Sequence, residues 1–544
     1  MADNKKKKSD MPEKGSEVKI LSPLARLYEW KFFPNVLSLS FMAIVLYFAL
    51  TLHKLGGFDV ETDFYGGYAP EAKSFLSGTI VIDAYHGPLY PIVLGLTSLV
   101  AGDLFRAGVM IAIFSAAMTL YTVFEMTRSV SSADTAFLTT LFTAVNVIFV
   151  LYSYSAGTDM FFVMLSLAGI FMLFRKPEVS IPELCGSSVL MACAYLVRYN
   201  GFIFLVSIPL VLGFGALQVK GTRKLTAALI WAAVFLAAIA PWSVYLKIHR
   251  GSFFYNTDYQ NLAFELFGGG FANWDQFWFT AASRYTSYWD VLSADPMLVV
   301  KTLFVNTYAH FVNDISSLNN LFIGIPSAAG IALFAFSRPS KKAVGLAAIY
   351  VSFFAVLLTM FYTERFSLFL LPCYSFFAAS TIKRIHSAVR RDKALIAVVN
   401  LTVAAVVVLT FLASWSYNSV MIANKGADDM LHMSEWYHQK FDDRLSSEQV
   451  AARKPHMAYL LNMKWYPFPM IDNYDTLLAV FRRDSVRFVY YGYFEGSSRP
   501  QFKNLLQDIP HPGLKMLSMV KYQSTVLSVL YEVERQTVSD TSRE

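Results

Sequence analysis

Four acidic residues lie close together in the polar stretch that separates the first two apolar runs of the chain, at Asp59, Glu61, Asp63 and Glu71. The stretch ends in His86-Gly87-Pro88-Leu89-Tyr90-Pro91, where the next apolar run begins. A carboxylate within hydrogen-bond reach can take the proton of a weakly nucleophilic hydroxyl. Asp59 and Glu61 can instead join Asp63 as oxygen ligands of a divalent cation. The residue types leave both chemistries open.

The composition of the whole chain indicates where these carboxylates must work. Of the 544 residues, 55% are hydrophobic and only 16% are charged, and the mean hydropathy is +0.43. Soluble globular domains carry about 25% charged residues, so this chain cannot cover its surface in water. We predict an integral membrane protein.

Two features of the composition exclude other classes of protein. The net charge is +7, but the basic residues form short clusters between apolar runs, which is typical of cytoplasmic loops and not of a nucleic-acid-binding surface. The three cysteines, Cys185, Cys193 and Cys373, lie in or beside apolar runs, so they indicate neither a disulfide framework nor a metal site. We expect no nucleic-acid partner and no bound structural metal.

Apolar runs and basic clusters together predict an all-α polytopic fold with about 11 transmembrane helices. One helix is expected at 33–52, and two crossings are expected among the runs 88–101, 107–126 and 134–152, of which the first is the shortest. Each later basic cluster is placed on the cytoplasmic side. This placement requires eight further helices, at 159–174, 183–198, 201–219, 225–246, 319–337, 343–361, 366–382 and 394–417. The less apolar residues 298–318 are assigned to an interfacial helix.

This topology divides the chain into three parts. Residues 1–30 form a basic cytoplasmic tail, 31–419 form the membrane domain with long external loops at 53–87 and 247–297, and 420–544 form a small extracytoplasmic α/β domain. In the last part we expect helices near 430–441, 476–483 and 502–506, and strands near 456–461, 487–491 and 525–534. No glycine-rich phosphate loop occurs there, so a nucleotide site is not expected.

The first external loop resembles that of a known family. Asp63, Tyr65, Tyr68, Gly78 and the His86-Gly-Pro-Leu-Tyr-Pro helix entry are similar to the first-loop signature of integral-membrane glycosyltransferases of the GT-C superfamily. The pattern resembles dolichyl-phosphate-mannose protein mannosyltransferases and the bacterial transferases that move aminoarabinose to lipid A. Gly87 stands where those families commonly have proline, and Phe64 stands where many have glutamate, so a paired-carboxylate role is not supported.

Three later segments continue the resemblance in the same order and on the predicted outer side. Asp159 in Tyr154–Met160 is similar to a second external aspartate that opens a helix. Arg198 in Ala194–Gly201 matches a basic residue at a helix end, and Arg365 in Tyr362–Phe366 matches an arginine before a proline-bearing helix. The resemblance covers roughly residues 30–420.

The resemblance implies transfer of a sugar from a polyprenyl-phosphate-linked donor to a hydroxyl acceptor at the outer membrane face. We predict that Asp63 acts as the base of a single inverting displacement, because phosphate is already a good leaving group while the acceptor hydroxyl needs help. Asp159 is the second predicted catalytic residue, and it either positions the acceptor or caps its helix. The expected partners are the lipid donor, a lipid, glycan or protein acceptor, and membrane lipids.

The remaining candidates are assigned to substrate binding. Arg198 and Arg365 suit a phosphate, because a planar guanidinium can bind two oxygens, although an arginine at a helix end can also simply reach the membrane interface. His86 and Glu61 are expected to contact substrate, with a structural role for His86 left open. The tyrosines that can stack on a sugar, or belong to an interfacial belt, are Tyr65, Tyr68, Tyr85 and Tyr90. No cofactor is required, and a divalent cation stays an alternative.

Two other functions fit the composition. A secondary transporter is the main alternative, yet we find no internal repeat, and the acidic residues gather in an external loop and not at mid-membrane. A non-catalytic assembly or scaffolding protein is the third. We expect the inner membrane of a bacterium as the location, and the residues do not specify the sugar, the lipid length or the acceptor.

Overall fold

A computed structural model provides the fold of residues 20–21, 24–58, 60–271, 274–423, 428–441 and 447–535. Most of the predicted basic tail, including the lysines at 5–8, lies outside these described residues, as does Asp59. The described chain is mostly helical, with a five-stranded sheet near its C-terminal end and one small two-stranded sheet.

The first 423 residues contain twenty α-helices, numbered here in chain order among the described residues. They are α1 (Ala25–Tyr28), α2 (Phe33–Leu52), α3 (Ala69–Leu76), α4 (Leu89–Ala101), α5 (Leu104–Val130), α6 (Ala133–Val145), α7 (Val147–Tyr154), α8 (Asp159–Phe174), α9 (Ile181–Val197), α10 (Ile203–Gly213), α11 (Lys224–Arg250), α12 (Tyr259–Phe267), α13 (Trp274–Thr280), α14 (Tyr288–Ala294), α15 (Pro296–Asn313), α16 (Leu321–Ala335), α17 (Lys341–Leu357), α18 (Glu364–Ser367), α19 (Leu371–Ala388) and α20 (Lys393–Ala423). The two-stranded sheet pairs β1 (Glu178–Val179) with β2 (Gln218–Val219) in parallel. The predicted interfacial segment 298–318 is helical, as α15 followed by a π-helical turn at Asp314–Leu318.

Five helical runs in the described chain are long and apolar enough to cross a membrane. They are α2, α5, α11, the run Glu364–Ala388 and the run that begins at Lys393. The pair α6 and α7 makes a sixth candidate, although the expected single helix at 134–152 is bent by 64°. Several apolar helices are shorter, and the total of eleven spans stays a prediction. The protein is a multi-pass membrane protein.

Two local features explain where helices stop and bend near the outer loop. Gly102 ends α4 with a φ of 91°, a left-handed conformation that glycine adopts without strain. The Asp103 side chain then accepts a hydrogen bond from the Arg106 amide and caps α5. Between α6 and α7 the Asn146 carboxamide accepts from the amides of Ile148 and Phe149, so the side chain replaces the helical bonds that the bend breaks.

The C-terminal part combines four helices with a mixed sheet. The helices are α21 (Asp428–Lys440), α22 (His456–Leu460), α23 (Tyr474–Arg483) and α24 (Tyr493–Ser498), and the strands are β3 (Gln449–Ala452), β4 (Lys464–Pro467), β5 (Phe488–Tyr491), β6 (Leu514–Tyr522) and β7 (Thr525–Val533). The strand order is β4-β3-β5-β7-β6; β3 is parallel to β4 and β5, while β7 is antiparallel to β5 and β6. A separate apolar core that includes Phe468, Phe481 and Tyr491 lies against this sheet.

The strand predicted near 456–461 is wrong, because these residues form the helix α22 and its end. Pro455 precedes the helix, and its carbonyl accepts a hydrogen bond from the Tyr459 amide. His456 is fully buried, and its ring packs against Phe58 and Tyr65 of the first loop. The apolar residues of this segment therefore face the membrane domain and are not part of the sheet.

The C-terminal part and the first outer loop hold each other through several contacts. Lys454 Nζ donates to Thr62 Oγ1 at 3.2 Å, and Lys73 Nζ donates to Asn462 Oδ1 at 3.0 Å. A Cβ at Gly66 would lie 3.3 Å from the Pro455 ring. These contacts bring C-terminal residues to the loop that carries Asp63.

Candidate active site

A cavity of about 570 Å³ opens where the first long loop (53–87), the second long loop (247–297), several helix ends and the C-terminal part meet. The loop at 53–87 supplies Asp63, Tyr68 and His86 to its walls, and helix ends supply Arg198 and Arg365. Aromatic walls come from the second loop and from the C-terminal part, through Trp274, Trp278, Phe279, Trp465 and Phe468. With Tyr85, six of the candidate residues named from the sequence therefore meet in one space.

Two aspartates and two arginines form an alternating chain of charges at one side of the cavity. Arg365 Nη1 donates to Asp63 Oδ2 at 2.7 Å, and Arg365 Nε donates to both Asp159 oxygens at 3.0 Å. Arg198 Nη1 donates to Asp159 Oδ1. The group is electrically balanced, because each arginine has an aspartate.

Helix ends position these four side chains. Asp159 is the first residue of α8, where the helix dipole favours a negative charge. Arg198 follows the last residue of α9, and Arg365 lies in the single turn α18. Asp63 precedes the π-helical turn Phe64–Tyr68 in the first loop. The four polar side chains at these helix ends therefore come together in space, although they are far apart in the chain.

Asp63 is the aspartate of this charge cluster that lines the cavity. Half of its side chain is exposed, and its Oδ1 atom has no hydrogen-bond partner among the described residues. Burial by the surrounding protein would raise the pKa of Asp63, but the charge and hydrogen bond of Arg365, with help from Arg198 and His86, hold the pKa below its ordinary value. Asp63 is therefore ionised at neutral pH with one oxygen free.

His86 lines the same cavity and lies beside two acidic residues. Its Nε2 atom is 3.5 Å from both Glu71 Oε1 and Asp83 Oδ1. Burial raises the pKa of Glu71 to about 7, with His86 opposing and Asp83 adding to the effect. His86 is fixed in place by its neighbour Gly87, since a Cβ at Gly87 would lie only 2.2 Å from the Leu196 carbonyl oxygen.

A further acid, Asp258, lines the cavity from the second outer loop. Burial raises its pKa to about 7, with Arg198 opposing, Asp83 adding to the effect and His86 opposing. The motifs of the sequence do not identify Asp258. One feature of the sequence could have indicated Asp258: it is a single acid between two tyrosines, Tyr255 and Tyr259, in the second long loop. Aromatic neighbours exclude water from a carboxyl group and so favour a raised pKa.

Four predicted site residues do not line the cavity. Glu61 is 2% exposed; its oxygens bind His53 Nε2 at 3.1 Å and the Ala156 amide at 2.6 Å, so the expected contact with substrate is replaced by a structural one. The Tyr65 hydroxyl accepts from the Gly56 amide, and Tyr90 is fully buried. Asp159 is 5% exposed and pairs with both arginines, so its predicted catalytic role stays a prediction.

The aromatic residues of the C-terminal part are also absent from the predicted site. Trp465 follows Lys464 in β4, and its Nε1 donates to the Ala452 carbonyl at 2.8 Å. Phe468 lies just beyond the same strand in the local core. Their chain distance from Asp63 is about 400 residues, so only the fold brings them to the cavity.

The described residues offer one group with metal-ligand geometry, formed by Glu71, Asp83 and His86, whose ligand atoms lie within 4.8 Å of one another. The alternative cation site of the sequence, built on Glu61 with Asp63, is not assembled, since Glu61 bonds to His53 and Asp63 bonds to Arg365. Asp59, the third member of that set, lies outside the described residues.

Comparisons with known proteins show which folds this chain resembles. Residues 85–245, under a third of the chain, match a family described as dolichyl-phosphate-mannose-protein mannosyltransferase. No curated protein matches the sequence. Among solved structures, ArnT from Cupriavidus metallidurans bound to undecaprenyl phosphate aligns with a TM-score of 0.58 at 11% identity, covering 92% of this chain and 98% of that one.

A second solved structure has a similar fold. The archaeal oligosaccharyltransferase AglB from Archaeoglobus fulgidus, in complex with an inhibitory peptide and a dolichol-phosphate, aligns with a TM-score of 0.55 at 13% identity. The alignment covers 86% of this chain and 70% of that one. The resemblance to GT-C integral-membrane glycosyltransferases that the loop motifs predict is therefore confirmed, and the chain has the fold of these proteins.

Proposed function

We propose that this protein transfers a sugar from a polyprenyl-phosphate-linked donor to a hydroxyl acceptor at the outer face of a membrane. The observation that carries the proposal is Asp63, an ionised carboxylate that presents one free oxygen to a cavity bordered by two arginines. The matched family description and the lipid phosphates named for ArnT and AglB support a lipid-linked donor.

Asp63 Oδ1 is suited to accept the acceptor's proton. Its partner oxygen is held by Arg365 at 2.7 Å, so the carboxylate cannot rotate freely and its free oxygen points to one place. The pKa of Asp63 is lowered, so the group is in the basic form at neutral pH. Proton transfer as the sugar–phosphate bond breaks gives one displacement with inversion at the sugar carbon.

Arg198 and Arg365 are the proposed partners of the departing phosphate. The Nη2 atom of each guanidinium donates no hydrogen bond to another described residue, so one fork of each arginine is available. His86 lines the same cavity and is the third candidate for the phosphate. Fixed donors aimed at developing negative charge lower the barrier of the chemical step.

Asp159 has a positioning role in this proposal. It holds Arg198 and Arg365 side by side through both of its oxygens, and its burial keeps it from the substrate. Removing it would leave two partly buried arginines without their shared partner. We therefore assign Asp159 to the orientation of the phosphate-binding arginines.

The aromatic walls are the proposed acceptor and sugar surfaces. Tyr68 and Tyr85 line the cavity, as do Trp278, Trp465 and Phe468. Tyr85 is fixed by hydrogen bonds to Gln260 at 3.0 Å and from Trp278 at 3.2 Å. Flat aromatic rings pack on the apolar faces of sugars and lipids. The sugar, the lipid length and the acceptor class are open.

The proposed topology follows the charge pattern of the sequence. The membrane domain at 31–419 would carry Asp63 outside, with the part at 420–544 in the same outer compartment, over the cavity. The inner membrane of a bacterium is the proposed location. Basic residues at the opposite helix ends, among them Lys342 and Arg384, would then lie in the cytoplasm.

The test is sugar transfer by the purified full chain. Radiolabelled polyprenyl-phosphate sugars are presented in detergent with lipid and peptide acceptors, and transfer or donor hydrolysis is followed. Asp63→Asn should reduce turnover by about 10²–10⁴-fold. The control is Asp508→Asn, which removes an exposed carboxylate that pairs with Lys521 and does not line the cavity. Uptake of solute into proteoliposomes without transfer would instead support a transporter, and unchanged turnover of Asp63→Asn would refute the assigned base.

A further inference from the structure

A second cavity lies at the end of the membrane domain remote from Asp63. It has a volume of about 330 Å³ and lies among α5, α16, α17 and α19. Helix α8 connects the two regions, because Asp159 begins it beside the first cavity and Phe174 ends it in the wall of the second. The 16 residues of this helix span about 24 Å. The two cavities are therefore separate sites.

The inner walls of the second cavity are apolar. Val123 and Met126 come from α5, Leu346 from α17, and Phe334, Phe376 and Phe377 from α16 and α19. The volume is within the range of about 300–1,000 Å³ that is usual for ligand pockets. Such walls fit a hydrocarbon chain, and hydroxyl side chains such as Ser340, Ser380 and Thr381 also line the cavity.

Two cations lie at this cavity without acidic partners. Lys342 and Arg384 both line it, and neither has a carboxylate within ion-pair distance in the part of the chain that is described. Nearby basic residues differ: Arg175 and Lys176 share Glu183, and Lys383 pairs with Asp134. Lys342 makes one hydrogen bond, to the Lys176 carbonyl at 3.0 Å. The positive charge at the cavity is thus available to an anion.

A buried hydroxyl provides an independent observation. Tyr350 lines the same cavity and is 6% exposed, and its hydroxyl has no hydrogen-bond partner in the described chain. An unpaired buried hydroxyl costs roughly 1–3 kcal/mol. Tyr350 follows Lys342 by eight residues on α17, about 12 Å of helix rise, and helical side chains lean toward the helix N-terminus, here toward Lys342. An oxygen of a ligand below its anionic group would satisfy this hydroxyl.

We propose that this cavity binds an anionic phospholipid of the inner leaflet. The phosphate lies at Lys342 and Arg384, an ester carbonyl accepts a hydrogen bond from the Tyr350 hydroxyl, and one acyl chain fills the apolar walls. Basic pockets between transmembrane helices on the cytoplasmic side bind anionic headgroups. A zwitterionic lipid carries its own cation beside the phosphate and therefore has no net negative charge to neutralise Lys342 and Arg384, and free phosphate would leave the apolar walls empty. A polyprenyl phosphate has no oxygen below its phosphate for Tyr350.

The experiment measures lipid binding to the full chain. Delipidated protein in detergent is titrated with phosphatidylglycerol, phosphatidylcholine or undecaprenyl phosphate, and the lipid-bound fraction is read by native mass spectrometry. Wild-type protein should retain phosphatidylglycerol and not phosphatidylcholine. The double variant Lys342→Gln/Arg384→Gln should weaken phosphatidylglycerol by about 25-fold, since each cation near an anionic lipid contributes roughly fivefold.

Matched variants separate this site from general charge effects. Arg338→Gln/Lys341→Gln removes the same charge outside the cavity wall and should change binding by less than about twofold. Ala347→Phe fills the cavity and should abolish binding, with an unchanged melting temperature as the check on folding. Tyr350→Phe should weaken phosphatidylglycerol while leaving undecaprenyl phosphate unaffected.

Three results would overturn the proposal. Equal retention of phosphatidylcholine would remove the role of the cations. Tighter retention of undecaprenyl phosphate than of phosphatidylglycerol, lost in the double variant, would identify a different lipid. Equal weakening by the Arg338/Lys341 control would show that only overall charge matters.

Discussion

The two cavities at opposite ends of the helices use positive charge differently. Beside Asp63, both arginines are bound by aspartates, and the cluster is balanced. At the remote end, Lys342 and Arg384 have no acidic partner among the described residues. A guanidinium that is paired with a carboxylate has a fixed orientation, because its hydrogen bonds hold it in place. A cation without an acidic partner, on a flexible side chain, can bind an anionic ligand. The first arrangement suits chemistry and the second suits retention of a lipid.

The largest expected effect comes from breaking the balanced end. Arg365→Ala removes the partner of Asp63 and of the nearly buried Asp159. Loss of one partner from a buried ion pair costs about 3–5 kcal/mol of folding free energy, and transfer should fall with it. Denaturation and turnover are measured together, with Arg284→Ala as the control, since Arg284 lies in the second loop and is not a member of the charge cluster. If the Arg365→Ala and Arg284→Ala variants were equally stable, the charge cluster would not stabilise the fold as expected.

The next largest effect is expected from a substitution that tests whether the loop beside the Asp63 cavity is rigid. Gly87→Ala would place a Cβ 2.2 Å from the Leu196 carbonyl, so the loop carrying His86 must move away from α9. Overpacking of this kind costs about 1–3 kcal/mol. Gly213→Ala is the matched control at the end of α10, because apart from its chain neighbours and its own helix backbone, no atom of the described residues lies within 4 Å of the position that its added methyl group would take. Thermal unfolding of the two variants should differ in this order, and equal melting temperatures would argue against a rigid loop.

The acid Asp258 gives a pH-dependent effect of still smaller size. Its pKa is raised from 3.8 to about 7 by burial, so the folded protein keeps a proton that the unfolded chain releases between these values. Stability from this group is therefore present below about pH 4 and is lost as the pH rises to 7. Asp258→Asn should raise the melting temperature at about pH 8 and leave it unchanged near pH 3.5. An equal shift at both pH values would contradict the buried acid.

The smallest effect is expected at the remote end. Lys342→Gln/Arg384→Gln should change sugar transfer in phospholipid-free detergent by less than about twofold, because these residues lie one helix length from Asp63. Turnover is measured beside the Asp63→Asn variant. A loss comparable to that of Asp63→Asn would mean that the two ends are coupled and not independent.

The sequence allows much of the site to be predicted and less of its geometry. Motif order identifies Asp63, Arg198 and Arg365, and all three border the cavity. The bridge that Asp159 forms between the two arginines cannot be predicted, because its bond to Arg365 joins residues 206 positions apart and depends on helix packing. Glu61 and Asp63 are acidic residues only two positions apart, so the sequence does not distinguish their roles. In the structure, Glu61 belongs to a buried hydrogen-bond network, whereas Asp63 lines the open cavity.

The fold is predictable to a similar degree. Long apolar helices such as α5 and α11 match their runs, since a membrane requires continuous apolar residues. The bend at Asn146 is not predicted, because a straight helix tolerates a single polar residue within an apolar run. The helix bends here because the Asn146 side chain replaces helical backbone hydrogen bonds. In the C-terminal part, the apolar pattern of His456–Leu460 indicates a strand, but these residues form a helix that meets the first loop, a contact that local sequence cannot show.

The position of Arg453, Trp465 and Phe468 at the cavity has a consequence for biosynthesis. A ribosome releases the chain from its N-terminus, so the membrane-spanning helices up to α20 can enter the bilayer before these residues exist. The carboxylate and both arginines are then in place, but one wall of the pocket is missing. On the proposed function, we therefore expect a newly inserted protein to stay inactive until its last segment has packed against the first loop, which would protect a lipid-linked donor from premature hydrolysis during synthesis.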